Sequence, residues 1–497
     1  MNKRIFHITQ LLTLLVLHFN VHAQNPFTLA QAITLAKTNS IEYLENKNRF
    51  LTGYLAWKQA KNALLPNINL NATPFSINRS LTERYDYENN IDVYRLSQTI
   101  NSNSGISLSQ RIPFTGGSIS LGSNISRITN FGDIDVTSYN VTPFRISLSQ
   151  PLFAINSYRW EKQELPLKLK MEKQKLVEAE QELNIQVTQQ YFSWAKAHAF
   201  YRLVQQEAIA ADTLLDAGLM LLELKKITPA ELVELELRKT NSLIELAAKE
   251  QELETARLEL SQLTGNQLPA GVNPVLPENT PLFNLSGEEA LKLARNNNLF
   301  YTETEQELIN LQKSLEQAKR GNRFTANVNL SYGLNQGGAT LGDALHKPMN
   351  QQTGSVSFSL PVLNWGENRD KLILAKLENE TAVKRIETRI NNFEQHILSV
   401  VFEAGTLLKQ LQNTTRARDL AHENYEIKNK QYLMGKATLN EINQAFANLL
   451  HARENQIELA SRIWLNFYEL QKLTMHDLTS GVPLTADFDT LTNLFKQ

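Results

Sequence analysis

The residues best placed to do chemistry are two glutamates, each three positions after a threonine. Thr438 and Glu441 lie in the run Tyr432-Leu433-Met434-Gly435-Lys436-Ala437-Thr438-Leu439-Asn440-Glu441, and Thr228 and Glu231 close the related run Glu223-Leu224-Lys225-Lys226-Ile227-Thr228-Pro229-Ala230-Glu231. This spacing is that of a capping box, in which the threonine hydroxyl accepts from the N3 backbone N–H and the carboxylate reaches back to the cap's own N–H. Pro229 then occupies the first helical position, where no N–H is needed. Catalytic chemistry finds no support. After the first 24 residues the histidines are His198, His346, His396, His422, His451 and His476, without the i, i+4 pairing of a helical metal site. There is no nucleophile elbow and no phosphate loop. Neither an enzyme activity, nor a metal, nor a cofactor is expected, and the many Glu and Lys residues read as solvated or ion-paired helical faces.

Composition narrows the classes further. The 497 residues carry 50 Lys and Arg against 51 Asp and Glu, a net charge of −1, so binding to nucleic acid is not indicated. Cysteine is absent, which excludes a disulfide framework, thiol chemistry and a lipid-bearing cysteine. Met1 to Arg4 is basic, Ile5 to Phe19 is apolar and Val21-His22-Ala23 offers a cleavage site, so residues 1–23 read as an export signal peptide. An uncleaved anchor fits less well, because the apolar run falls short of the ~20 residues a spanning helix requires. No later run is long enough for a transmembrane helix, so any crossing of a membrane must be made by strands.

Two helical hairpins with matching tips imply an internal duplication. In the first repeat, residues 24–265, a Thr-capped helix carries Leu29, Ala32, Ile33 and Ala36 on one face, and a second helical pattern runs from Ile41 to Leu65 and stops at Pro66. Residues 66–153 are rich in Ser, Asn, Thr and Gly and alternate with period two: Ile106 and Leu108, Ile119 and Leu121, Ile146 and Leu148. Such segments suit a transmembrane barrel, and a half-buried soluble sheet gives the same alternation. A long helix follows to about Leu224, with Leu169, Leu176 and Leu183 in a seven-residue repeat; 60 to 70 helical residues would reach about 100 Å. After the tip near 225–229 a return helix runs to about Leu263. Residues 266–283 are a proline-rich linker.

The second repeat, residues 284–475, answers the first. Ala290, Leu293, Ala294 and Asn297 match Ala32, Leu35, Ala36 and Asn39, and Leu360-Pro361-Val362-Leu363 answers Gln150-Pro151-Leu152-Phe153. A shorter strand region at about 324–363 leads into a second long helix whose Ile386, Ile390, Phe393, Ile397, Val400, Ala404, Leu407 and Leu411 keep coiled-coil spacing. The tip lies near 434–438 and the tail covers 476–497.

At this point the chain resembles an outer membrane efflux protein of the TolC family. The resemblance is carried by Leu29-Ala30-Gln31-Ala32 through Asn39, Ala63-Leu64-Leu65-Pro66, Ser149-Gln150-Pro151-Leu152-Phe153, Ser359-Leu360-Pro361-Val362-Leu363-Asn364-Trp365-Gly366, and Tyr432-Leu433-Met434-Gly435 with Thr438. It implies a mainly α fold with β: a homotrimeric channel in which a long coiled α-barrel continues into a transmembrane β-barrel of twelve strands, two per repeat. It implies a place in the outer membrane of a Gram-negative bacterium with a long periplasmic extension. The partners it implies are a periplasmic adaptor (membrane fusion) protein, an inner-membrane transporter and outer membrane lipid. The first strand region is the longer and holds a further hairpin signal at Ile112-Pro113-Phe114-Thr115-Gly116-Gly117, which leaves room for more strands.

By motif position the resemblance puts the periplasmic aperture at Glu231, Glu234, Glu441 and Gln444, with Gln444 replacing a carboxylate. The alternative for Glu231 and Glu441 is that they only cap helices. Tip and adaptor docking falls to Lys225, Thr228, Tyr432, Gly435 and Thr438, and the helix-to-barrel passages to Pro66, Pro151 and Pro361. Tyr432 can equally be a seam aromatic, and Lys225, standing where the second tip has Gly435, must avoid left-handed backbone or accept strain. Trp160 and Trp365 fall where an interfacial girdle is expected, whereas Trp194 lies on the heptad seam. The competing functions are a periplasmic coiled-coil scaffold with a soluble sheet and a general diffusion porin.

Overall fold

The computed structural model describes residues 25–497 other than 133, 270, 278–279, 282–284, 322–323, 361, 435 and 494–497. The expected signal peptide therefore lies outside the described residues, as do Pro361 and Gly435. Strand β1 (Asn25–Phe27) precedes helices α1 (Leu29–Asn39) and α2 (Ile41–Asn62); strands β2 (Asn67–Asp86), β3 (Ile91–Arg111), β4 (Ser118–Phe131) and β5 (Val136–Leu152) follow. Next come α3 (Ser157–Glu223), α4 (Pro229–Leu263), β6 (Val272–Pro274), α5 (Gly287–Asn297) and α6 (Leu299–Gly321). The second strand region is β7 (Thr325–Gly338), the short α7 (Leu341–Leu345) and β8 (Met349–Ser359). Helices α8 (Glu367–Leu433) and α9 (Leu439–Thr474), β9 (His476–Asp477), β10 (Val482–Pro483) and α10 (Phe488–Asn493) complete the chain.

The same element order recurs in the two halves, with matched lengths. Helices α3 and α8 each have 67 residues, about 100 Å at ~1.5 Å per residue, and their return helices have 35 and 36. Capping boxes start α1, α4, α5 and α9, at Thr28, Thr228, Ser286 and Thr438. The halves differ in their strands. Two strands per half, the number carried over with the resemblance, is corrected to four in the first half and two in the second, forming one six-stranded sheet ordered β2-β3-β4-β5-β7-β8. The physical reason is the Ile112–Gly117 turn: the Gly117 carbonyl accepts from the Ile112 N–H at 2.8 Å, and Gly116 takes φ +78°, which suits glycine. The turn makes β3 and β4 a hairpin.

The chain folds into two compact units, and each draws on both halves. Among the described residues, one takes those within 25–51, 172–301 and 390–493, the other those within 52–171 and 302–389. In the first, Ala32 and Ala36 of α1 pack with Leu183, Val187, Tyr191 and Trp194 of α3 and Leu260 of α4. The equivalent Ala290 and Ala294 of α5 pack with Ile397, Val400 and Ala404 of α8 and Leu470 of α9. Small residues allow these short helices to lie close to the long ones, and Trp194 is a buried seam residue, as its heptad position indicates. Within the linker, β6 pairs parallel with β1, and the Tyr191 hydroxyl lies 2.7 Å from the Phe27 carbonyl and 2.6 Å from that of Val275. In the second unit the six-stranded sheet dominates, and the Glu164 carboxylate is held by Lys168 and Lys313.

Candidate functional site: the helical tips and the apolar sheet face

At the first tip α3 ends in a turn closed by a 2.8 Å bond from the Lys226 N–H to the Leu221 carbonyl. Such a six-to-one bond ends a helix through a left-handed C′ residue. That residue is Lys225, at φ +54°, so the lysine accepts the strain that glycine would avoid. At the second tip the Lys436 N–H bonds the Gln431 carbonyl at the same 2.8 Å.

The Glu231 carboxylate accepts from the Thr228 N–H at 2.7 Å and its hydroxyl at 3.0 Å. The backbone bond first, then the hydroxyl, holds its pKa below the ordinary value. Glu441 accepts from the Thr438 N–H at 2.8 Å and also from Lys428 Nζ at 3.0 Å, and both contacts lower its pKa. Both glutamates are thus caps as well as exposed charges, and the lysine beside Glu441 offsets part of its field. Glu234 is exposed, and the Gln444 side chain donates to Asn448 at 3.1 Å.

Tyr432 is half-buried against the cluster of Leu214, Leu235, Tyr425, Ile442, Ala445 and Leu449, in the manner of a seam aromatic. Burial first, and then the nearby charge of Glu231, raises its pKa. The same cluster contains a group that the sequence analysis missed. Glu207 of α3 accepts from Arg238 of α4, Nε at 2.9 Å and Nη2 at 2.5 Å, and from the Tyr425 hydroxyl of α8. The three residues are 6%, 8% and 8% exposed, and Arg238 Nη1 has no protein partner. Arg238 also lines a cleft of about 400 Å³ with Glu234, Asn440 and Asn443. The available signal was a carboxylate on a buried seam, since Val204, Glu207, Ala211 and Leu214 follow three-four-three spacing.

The sheet has two chemically opposite faces. Its register aligns Ile68, Leu108, Leu121, Ile146 and Tyr332 in one row across five strands, and Val328 beside Val356 on β7 and β8. This face is open: Ile68 and Val356 are each 66% exposed. The other face is polar, with Ser149 donating to Asn329 at 2.9 Å and Arg145 to Gln351 at 2.6 Å. No described helix is long and apolar enough to cross a membrane.

Pro66 stands between the turn that ends α2 and the start of β2, while Pro151 lies inside β5 opposite Asn327. Just before β7, the ring of Phe324 lies with its centroid 5.7 Å from that of Phe153 and 5.9 Å from that of Phe358, both in tilted arrangement. Trp365 is 89% exposed and Trp160 is half-buried.

Residues 291–474 match the family model described as outer membrane efflux protein. An uncharacterized protein of Haemophilus influenzae is 34% identical over 91 residues, which is 18% of this chain; the match spans only 19% of that relative's length. The Campylobacter jejuni CmeC outer membrane channel superposes with a TM-score of 0.65 at 14% identity, over 94% of this chain and 88% of that one. The outer membrane protein VceC of Vibrio cholerae gives 0.61 at 14%, over 91% and 96%, and the open MtrE outer membrane channel of Neisseria gonorrhoeae gives 0.58 at 16%, over 90% and 89%. At these identities the likeness is one of fold, and the fold is TolC-like: mainly helical, with strands. Over residues 291–474 the chain is similar to the outer membrane efflux protein family, and the solved structures that share its fold are outer membrane channels.

Proposed function

We propose that this protein is an outer membrane export channel. Three copies would share a β-barrel in the membrane, and their long hairpins would form a periplasmic α-barrel with six tips. Through these tips the channel docks with a periplasmic adaptor and an inner-membrane transporter, and cargo leaves through the shared lumen. The observation that carries this reading is the aligned, exposed apolar row on one sheet face opposite a polar face. Lipid solvates the first and water the second. A soluble scaffold would leave that apolar face in water, where large contiguous patches are rare. A diffusion porin has no use for two helical hairpins whose longer arms each reach about 100 Å.

On this reading the repeats at 24–265 and 284–475, joined by the 266–283 linker, each supply wall and tip. Glu231, Glu234 and Glu441 bring negative charge to the aperture, Gln444 is neutral, and Lys225, Thr228, Tyr432, Gly435 and Thr438 shape the docking surface. Pro66 marks the passage from helix into the barrel, and Pro151, at the end of β5, and Pro361 fall by sequence beside the passages back to helix.

Two measurements test the reading. Membrane fractionation should place the protein in the outer membrane as a heat-modifiable oligomer; recovery in the soluble periplasm overturns it. In planar bilayers Glu441→Ala should reduce cation preference, and unchanged selectivity would remove Glu441 from the aperture.

A further inference from the structure

We propose that the free edges β2 and β8 are interfaces for further copies of this chain, and that three copies close an eighteen-stranded barrel. This rests on the trimeric channel reading and adds the width of its pore. The strand order leaves β2 and β8 as the two outer edges of the sheet. In hydrocarbon an unpaired strand edge is not tolerated, and six strands are fewer than the eight of the smallest membrane barrels, so one chain does not close upon itself.

The two edges suit each other. Strand β2 leaves α2 and β8 runs toward α8, so β8 of one copy beside β2 of the next continues the antiparallel sheet. Both edges keep the same division of faces: Ile68 and Leu70 on β2, like Val356 and Phe358 on β8, are exposed apolar residues, while Asn69 and Asn71, like Ser355 and Ser357, alternate with them. The 11 residues of β8 are what a spanning strand needs, and the 20 of β2 offer a partner for each. The first hairpin is part of the wall, because β3 pairs with β4 from Gln98 to Arg111 without interruption. Barrel diameter grows roughly linearly with strand number, so eighteen strands give a bore about 1.5 times that of twelve, in the range that leaves an aqueous channel.

The natural chain has no cysteine, which makes cross-linking clean. Val356→Cys combined in turn with Ile68→Cys, Leu70→Cys and Ala72→Cys should yield disulfide-linked copies in outer membranes in at least one register. Val356→Cys with Leu121→Cys or Ile125→Cys should not, because β4 is paired on both sides. The reverse pattern, in a protein that still forms trimers and exports, would overturn the eighteen-stranded barrel and leave the channel reading standing. No link between copies from any pair would overturn it too, and a monomer in the soluble fraction would also sink the channel reading. A second measurement uses Ser147→Cys, on the polar face, labelled from outside by maleimide polymers of increasing diameter. Deleting residues 67–117 removes β2 and β3 without reversing β4. The size cut-off should fall about 1.5-fold in the shortened trimer, and an unchanged cut-off would count against the wider bore.

Discussion

Glu207 is a carboxylate shared by both hairpins of the chain, and its partners decide its cost. A charge this deeply buried is tolerated only when paired and hydrogen-bonded, so Arg238→Ala, which strands it, should destabilise the helical unit by ~3–5 kcal/mol. Tyr425→Phe removes one hydroxyl donor to a charged group and should cost ~1.5–3 kcal/mol. Denaturant unfolding of the purified protein checks both, and an order of effects reversed from this one would show that the arginine is not the main partner. Burial and the adjacent Glu207 charge raise the Tyr425 pKa, so its hydroxyl remains a donor throughout the neutral range. At the tips the sign is that of depressed acids. The folded values of Glu231 and Glu441 lie below their unfolded ones, so capping stability is complete above the ordinary glutamate range and is lost as pH falls through the lowered values. Hydrogen exchange at the Thr228 and Thr438 amides, which donate to these carboxylates at 2.7 and 2.8 Å, corrected for intrinsic rate, should show protection at neutral pH that is lost in acid as the carboxylates protonate; protection unchanged between the two would remove the carboxylates from the caps.

The helical hairpins differ at one backbone position. Lys225 sits at φ +54°, where an L-residue pays roughly 1–2 kcal/mol that glycine avoids, less the entropy glycine regains on unfolding. Lys225→Gly should therefore stabilise the first hairpin by up to about 1 kcal/mol, seen as a higher unfolding midpoint, and a lower midpoint would show that the lysine side chain makes a compensating contact. The hairpins themselves were legible in the sequence, because caps and coiled-coil seams are local patterns: Ile386, Ile397, Val400, Ala404 and Leu407 are all buried. The strand count was less legible. Alternation marks a strand and its two faces, but which strand pairs with which depends on partners distant in sequence, as when β5 pairs with β7 across 180 residues from Ser149 to Asn329.

For the whole molecule, the two faces of the six-stranded sheet set the expectation. If the apolar row faces lipid, Ile146→Arg should impair insertion in the outer membrane, because a charge on the lipid face of a barrel costs about 2–4 kcal/mol at mid-depth. Ser147→Arg, one residue along and on the polar face, should insert normally and alter conductance instead. Equal assembly of both variants, measured by heat-modifiability, would mean that neither face meets lipid.

Features written in short periods could be read from neighbouring residues: helix starts at Thr228 and Thr438, the apolar seams, the alternation of Ile146 and Ser147, and the family resemblance carried by these motifs. Each depends on residues within a turn or two of one another. Tertiary structure alone decided the rest. It joined four strands to two in a single sheet, aligned Ile68 with residues as far along the chain as Tyr332, and brought Arg238 and Tyr425 to Glu207. These arrangements arise from contacts between distant segments, where the register and the buried partner are set by packing that no local period encodes.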